Sequence, residues 1–307
     1  MPPLFLPPRE FVRSAEAAER SYTLEEAEAY TRWLASRHYE NFHVATFLLP
    51  GRLRQDFYNL YAYCRWADDL GDELGDADES LRWLAWWGEE LEAMYRGRTR
   101  HPVFIALRRT VERHELPQQP LADLLKAFVQ DQTVRRYPSY DELLAYCRYS
   151  ANPVGRLVLH LCGYRDPERQ ALSDRTCTAL QLANFWQDVA VDLEKDRVYL
   201  PLEAIERHGY SLEELQARSV TAAFRRLMRE AVELARRWFL EGLPLAERVD
   251  RKLAVDIELF SRGGLRVLER IEDQDYDVLT RRPVIGRLDR VRLLLGSFIR
   301  QAFRRAA

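Results

Sequence analysis

The sequence predicts an all-α protein. Nearly every segment carries apolar residues at helical spacing, its breaks fall at capping residues and prolines, and no run alternates apolar with polar residues as a half-buried strand does. The 307 residues contain no linker, low-complexity tract or internal repeat, so one domain over residues 1–307 is expected, with an irregular segment over 1–20.

Taken in order, Thr23 and Glu26 form a capping box opening an amphipathic helix that runs to about His38. Pro50 and Gly51 break the chain before a long helix that includes residues 61–73. Asp78 is expected to cap the next helix, which carries Trp83, Trp86 and Trp87 and ends near Gly97; the tryptophans read as core. A helix follows Pro102, and Pro117 and Pro120 precede another over residues 121–134. Ser139 with Glu142 opens a short helix running into YCRYSANPVG (residues 146–155), where Asn152-Pro153 signals a break, and residues 153–163 resume as helix. Ser173 is expected to cap a long helix through residue 192. Pro201 starts a helix ending at Gly209, and Ser211 with Glu214 caps its successor. Two longer helices, near residues 221–241 and 251–272, and a last one after Pro283 complete the bundle. Gly263-Gly264 marks a close-packing or kink site.

An apolar share of 47% supplies a sizeable core, and a net charge of −2 points away from nucleic acid. Basic charge is almost all arginine, with Lys126, Lys195 and Lys252 the only lysines; arginine suits bidentate phosphate contacts. Cys64, Cys147, Cys162 and Cys177 form no Cys-x-x-Cys pair, which reads as reduced cytosolic thiols. With no secretory signal pattern and no long apolar window, a soluble or peripheral, cytoplasmic protein is expected. The basic, amphipathic C-terminal stretch after Arg281 reads as an outer helix or as a contact with the inner face of an anionic membrane.

The chemistry lies in two acidic stretches. YAYCRWADDLGDE (residues 61–73) holds Asp68, Asp69 and Asp72; QLANFWQDVAVDLEKDRVYLP (residues 181–201) holds Asn184, Asp188 and Asp192. Four residues is about one helical turn, so each set projects from one face. Like charges stacked at that spacing in an aromatic stretch are costly unless a cation meets them. Two such sets suggest a shared cation. Oxygen-only ligands, with no His or Cys at zinc spacing, suit magnesium, which completes its shell with water and substrate phosphate. Arg65, Lys195, Arg197 and Tyr199 stand near enough in sequence to meet phosphate oxygens. A diphosphate leaving group creates a carbocation, and Tyr39, Phe42, Tyr61, Tyr146 and Phe185 are candidates to line a dry cavity for it.

These stretches resemble the two aspartate-rich motifs of the squalene and phytoene synthase family, the second including its Arg-x-Tyr-Leu-Pro tail. YCRYSANPVG stands where that family has Tyr-Cys-x-x-Val-Ala-Gly-x-Val-Gly. The resemblance implies a single-domain isoprenoid-synthase helical bundle with a central cavity and magnesium-dependent chemistry on prenyl diphosphates, with more than one metal ion. It implies Asp68, Asp69, Asp72, Asp188 and Asp192 as metal ligands assisted by Asn184. Arg65, Gln181, Lys195 and Arg197 would hold diphosphate, with His38, Tyr39, Asn41, Phe42 and Tyr199 also at the substrate. Tyr146 would handle a proton or the cation, and Tyr61 lies near the cavity mouth.

Two departures narrow the choice. The early motif reads HYENFHVATFLLP (residues 38–50) without its usual serines, and Asn152-Pro153 replaces Gly-x. Both resemble the bacterial hopanoid-pathway branch, the hydroxysqualene synthases. The implied reaction ionises presqualene diphosphate, rearranges the cation and quenches it with water, Asn152 being the candidate to position that water. No NADPH is expected. The alternatives are coupling of two prenyl diphosphates such as farnesyl diphosphate to presqualene diphosphate or phytoene, and a non-catalytic assembly relative, which the intact aspartates disfavour. Partner enzymes of the squalene pathway and a peripheral membrane contact are compatible with so apolar a substrate.

Overall fold

A computed structural model describes residues 5–37, 51–286 and 289. Among them there is no strand, only an isolated bridge between Arg136 and Val198, and the all-α expectation holds. The early motif (residues 38–50) and the helix expected after Pro283 lie outside the described residues. Contacts divide the chain into two compact units, residues 1–133 with 157–164 and residues 134–156 with 165–307.

In the first unit, Thr23 and Glu26 cap α3 (Leu24–Arg37) as expected, Glu26 N donating to Thr23 Oγ1 at 3.2 Å and Thr23 N to Glu26 Oε2 at 2.9 Å. The segment expected to be irregular contains two short helices, α1 (Pro8–Phe11) and α2 (Ala15–Glu19). Pro8 is preset for a first turn and Ser14 caps the second helix. Helix α4 (Arg54–Asp72) carries the first acidic set. Asp76, not Asp78, caps α5 (Ala77–Tyr95), because its carboxylate reaches Glu79 N at 2.7 Å. Helices α6 (Pro102–His114) and α7 (Gln118–Gln130) follow.

What positions α4 is a core of large rings and a buried polar network. Trp66 of α4 stacks on Trp87 of α5 at 4.9 Å, and the His101 ring meets both edge-on. Burial holds His101 neutral, its pKa well below the usual value; its Nδ1 accepts from Val103 N to cap α6. About two turns before Trp66 on α4, Asn59 accepts from Thr31 of α3 at 2.7 Å and donates to Ala106 O and Thr110 Oγ1 of α6, each at 3.0 Å. Asp56 accepts from Thr110 at 3.0 Å. Buried polar groups satisfied on both sides tie three helices in one register.

Helix α7 of the first unit stops at Gln130, not at residue 134 as expected, and the second unit follows. Pro138 restricts the residue before it to extended backbone, and residues 134–138 pair alongside 198–203: Val198 N donates to Arg135 O at 2.9 Å and Leu202 N to Tyr137 O at 2.9 Å. Helix α8 (Tyr140–Ser150), capped by Ser139, ends before the Asn-Pro break, where α9 (Asn152–Leu161) starts. Helix α10 (Pro167–Gln187) begins earlier than expected, because Asp166 caps it through Arg169 N at 2.9 Å and Pro167 presets its first turn; Ser173 is interior. Short helices α11 (Val189–Glu194), α12 (Leu202–Arg207) and α13 (Leu212–Gln216) lead to α14 (Ala222–Gly242) and α15 (Arg251–Asp273). Helix α10 packs on α14 and α15. No helix among the described residues is long and apolar enough to cross a membrane.

Gly264 resolves as a close-packing site: a Cβ there would stand 2.0 Å from Phe239 Cζ of α14, whereas one at Gly263 would meet nothing within 4 Å. Gly264→Ala should therefore lower stability by about 1–3 kcal/mol through overpacking, and Gly263→Ala should raise it by about 0.5–1 kcal/mol by removing glycine from a helix interior, both read as urea midpoints. Asp256 of α15 is buried with neither carboxylate oxygen hydrogen-bonded. Burial, then the charge of Asp250, pushes its carboxyl up to about 7. The unfolded chain ionises this group at about 3.9, so its contribution favours the fold below that pH and is lost as pH rises through 7. Asp256→Asn should flatten the fall in Tm between about pH 4 and 8; an unchanged slope would mean the group ionises at its ordinary value.

Candidate active site

On α4, residues Tyr61, Arg65, Asp68 and Asp72 fall on one stripe at intervals of four, three and four. Asp69, at the edge of that stripe and one turn from Arg65, is buried. Arg65 is the counter-charge of its own motif: it forms ion pairs with Asp69, with Asp68 at 3.2 Å and with Glu73 at 3.2 Å. Burial pushes the Asp69 carboxyl up to about 7 despite the adjacent guanidinium. Asp68 and Asp72 are thus the accessible oxygens of the set, and Asp69 anchors Arg65. Glu73, not singled out from sequence, joins because it follows the helix end within reach of Arg65. Burial raises the pKa of the Tyr61 hydroxyl above its ordinary value.

The second set does not lie on one uninterrupted helix. Asp188 ends α10 and begins α11 with φ −107° and ψ 16°. The i to i−4 bonds nevertheless continue, Asp188 N to Asn184 O at 2.9 Å and Asp192 N to Asp188 O at 2.8 Å, so the three side chains remain one turn apart. Asn184 is exposed, and Gln181 is half-buried a turn earlier. The Asp188 carboxylate receives Arg282 in a two-pronged pair at 2.5 and 3.2 Å, and Gln187 Nε2 donates to Pro283 O at 2.5 Å. No sequence signal linked Arg282 to this motif.

After α11 the chain doubles back. Arg197 N donates to Asp192 O at 2.8 Å, and Asp196 adopts a left-handed φ of 55° held by Arg136, whose Nη2 lies 2.5 Å from Asp196 Oδ1. This turn lets Arg197 and Asp192 line one recess with Phe185, Tyr199 and Leu215. Burial and the neighbouring Asp188 push the Asp192 carboxyl up to about 7, with Arg197 and Lys195 opposing. Lys195 is exposed. The Tyr199 ring lies flat on Phe185 at 3.7 Å with an interplanar angle of 11°. Tyr146, buried on α8, stands 6.3 Å from both rings. Tyr137, which no motif marked, completes the group at 5.7 Å from Tyr199 and 5.4 Å from Tyr146.

Asn152 is interior, its Oδ1 accepting from Thr178 Oγ1 at 2.9 Å, so that oxygen serves the α9–α10 contact. Gly155 belongs to the same contact: a Cβ there would stand 2.3 Å from Ser173 Oγ and 2.5 Å from Cys177 Sγ. His38, Tyr39, Asn41 and Phe42 lie outside the described residues.

Among the described residues, no group of three or more His, Cys, Asp or Glu stands ready to hold a metal by itself. The donors present are oxygens at one-turn spacing, too few for a full shell. That set fits magnesium, which keeps water and takes substrate phosphate as ligands.

The model of the Squalene/phytoene synthase family matches residues 35–289. Phytoene synthase from Thermus thermophilus is 32% identical over 267 residues, 87% of this chain and 90% of that one. Hydroxysqualene synthase from Rhodopseudomonas palustris is 33% identical over 239 residues, 77% of this chain and 80% of that one. The crystal structure of squalene synthase HpnC from Alicyclobacillus acidocaldarius is 41% identical, with a TM-score of 0.79 over 82% of this chain and 95% of that one.

Asp188→Asn removes the like charge beside Asp192 and releases Arg282. The Asp192 carboxyl should then titrate below the value of about 7 that it has in the native chain, read by 13C NMR of the carboxyl. No movement would mean that burial alone sets it.

Proposed function

The chain belongs to the squalene/phytoene synthase family, and on that premise we propose that it converts presqualene diphosphate to hydroxysqualene and diphosphate in a magnesium-dependent reaction. The observation that carries this reading is the chemistry of the side chains around a small recess of the second unit, which has room for about one water. There an acid that shares a motif with Asp188, the cation Arg197, and the rings of Phe185 and Tyr199 converge. An arrangement of that kind suits a reaction that releases a diphosphate and then guards a carbocation.

Each unit would hold magnesium on its own acidic set, Asp68 and Asp72 in the first and Asn184, Asp188 and Asp192 in the second. Bound magnesium would neutralise diphosphate charge and so lower the barrier to its departure. Arg197 and Lys195 would bind phosphate oxygens by charge-assisted hydrogen bonds. The carbon–oxygen bond breaks, its electron pair leaves with the diphosphate, and the cyclopropylcarbinyl cation rearranges beside Tyr146, Phe185 and Tyr199. Water then adds to the rearranged cation and loses a proton. In this role the rings exclude bulk water and present π faces, each contributing about 0.5–2 kcal/mol to a nearby cation. The Asn152 oxygen already accepts from Thr178, so the amide nitrogen is the donor that Asn152 would bring to the water. Both motif departures and the hydroxysqualene synthase among the relatives support this reading over coupling; the phytoene synthase among them keeps coupling as the second reading.

Incubated with magnesium and no NADPH, the protein should form a hydroxylated triterpene alcohol from presqualene diphosphate and nothing from farnesyl diphosphate, as read by mass spectrometry. Presqualene diphosphate formed from farnesyl diphosphate would establish coupling instead. Asp68→Asn and Asp188→Asn should each lower turnover by at least about a hundredfold with far-UV CD unchanged. Near-native turnover in either variant would remove that aspartate from the metal site.

A further inference from the structure

The aromatic group of the second unit contains one ring outside every motif. Tyr137 is 2% exposed, as buried as Tyr146 and Phe185 at 4% and 5%. Tyr199 is the half-exposed member, and it lines the recess with Phe185, Asp192 and Arg197. The face offered to a ligand is therefore the Tyr199 ring, and its orientation decides the shape of that wall.

Tyr199 sits in a stretch with no helix of its own. Its backbone is held by the bonds from Val198 N to Arg135 O and Leu202 N to Tyr137 O, each 2.9 Å, and by the ion pair from Arg136 to Asp196. Those bonds fix the main chain, and the side-chain torsions are set separately. Among the neighbours that limit the torsions are Phe185 at 3.7 Å, Tyr137, stacked at 5.7 Å and 21°, and Tyr146 at 6.3 Å and 28°. Phe185 belongs to α10, the helix that carries the acidic set. Tyr137 arrives on the paired strand-like segment, and the bonds that hold that segment also hold the backbone of Tyr199.

We propose that Tyr137 is a positioning residue: it keeps the Tyr199 ring flat on Phe185, and so fixes the wall beside which a carbocation partitions between products. This rests on the reading of the chain as a prenyl diphosphate enzyme. A cation that has lost its leaving group rearranges within a fixed cavity, and a wall that can swing admits alternative folds of the chain and stray water. A merely structural Tyr137 would affect stability without affecting which product forms.

The test compares Tyr137→Leu, Tyr137→Phe and Tyr199→Leu by product ratio, kcat and KM on presqualene diphosphate and on farnesyl diphosphate, with Tyr199 ring flipping followed by NMR of 13C-labelled tyrosine. Tyr137→Leu should lower kcat about tenfold with KM within about twofold, and shift the product ratio at least about threefold. Tyr137→Phe, which keeps the ring, should restore native values within about twofold. Tyr199→Leu should reproduce the shift, and the double variant should add nothing to it. A native product ratio in Tyr137→Leu overturns the proposal. If that variant fails to fold, a native ratio in Tyr199→Leu does so. If the native protein turns over no prenyl diphosphate, the enzymatic reading falls separately. The ring flips of Tyr199, faster in Tyr137→Leu if Tyr137 holds it and unchanged if not, still decide the positioning.

Discussion

A carboxylate leaves water only when a cation or a hydrogen-bond donor takes the water's place, and that constraint orders both units. In the first, Asp69 is buried among the rings of α4 and is met by Arg65, which also draws in Asp68 and Glu73. In the second, Asp188 is met by Arg282 and Asp192 by the doubled-back chain that carries Arg197. Asp256 shows the cost, since its carboxyl has no hydrogen-bond partner among the described residues and burial pushes it up to about 7. Each motif holds acids with cationic neighbours, and the same cations are suited to phosphate.

Around those charges, each unit rigidifies its acidic helix differently. Helix α4 is locked by stacked tryptophans and by Asn59 reaching α3 and α6. Helix α10 is packed against α14 and α15, where Gly264 lets the Phe239 ring approach its partner helix. Precision in a site comes from such support, because a side chain on a packed helix inherits the helix's position. The aromatic wall is the less protected part, since Tyr199 stands on a stretch held by two backbone bonds, an ion pair and its stacked neighbours.

Much of this was legible in the chain. The capping boxes at Thr23 and Ser211, the break at Asn152-Pro153 and the acidic spacing are local patterns, and they appear as read. Misplaced boundaries share a cause. Asp166 outcompeted Ser173 and Asp76 outcompeted Asp78 because several residues of one stretch can cap, and packing chooses among them. Helix α7 stopped early because residues 134–138 found a partner about 60 residues away. The division of labour within each acidic set was likewise hidden: which aspartate faces inward depends on what the helix is packed against.

The sequence by itself determined the all-α class, the family and the one-turn spacing of the acidic residues, because helical period and capping are set by neighbours a few residues apart. Only the tertiary structure decided that Arg282 meets Asp188 across 94 residues and that Tyr137 lies beside Tyr199. It also decided that the Asn152 oxygen accepts from Thr178. Those contacts join segments with no pattern in common, and they exist only once the backbone has brought each segment to its place.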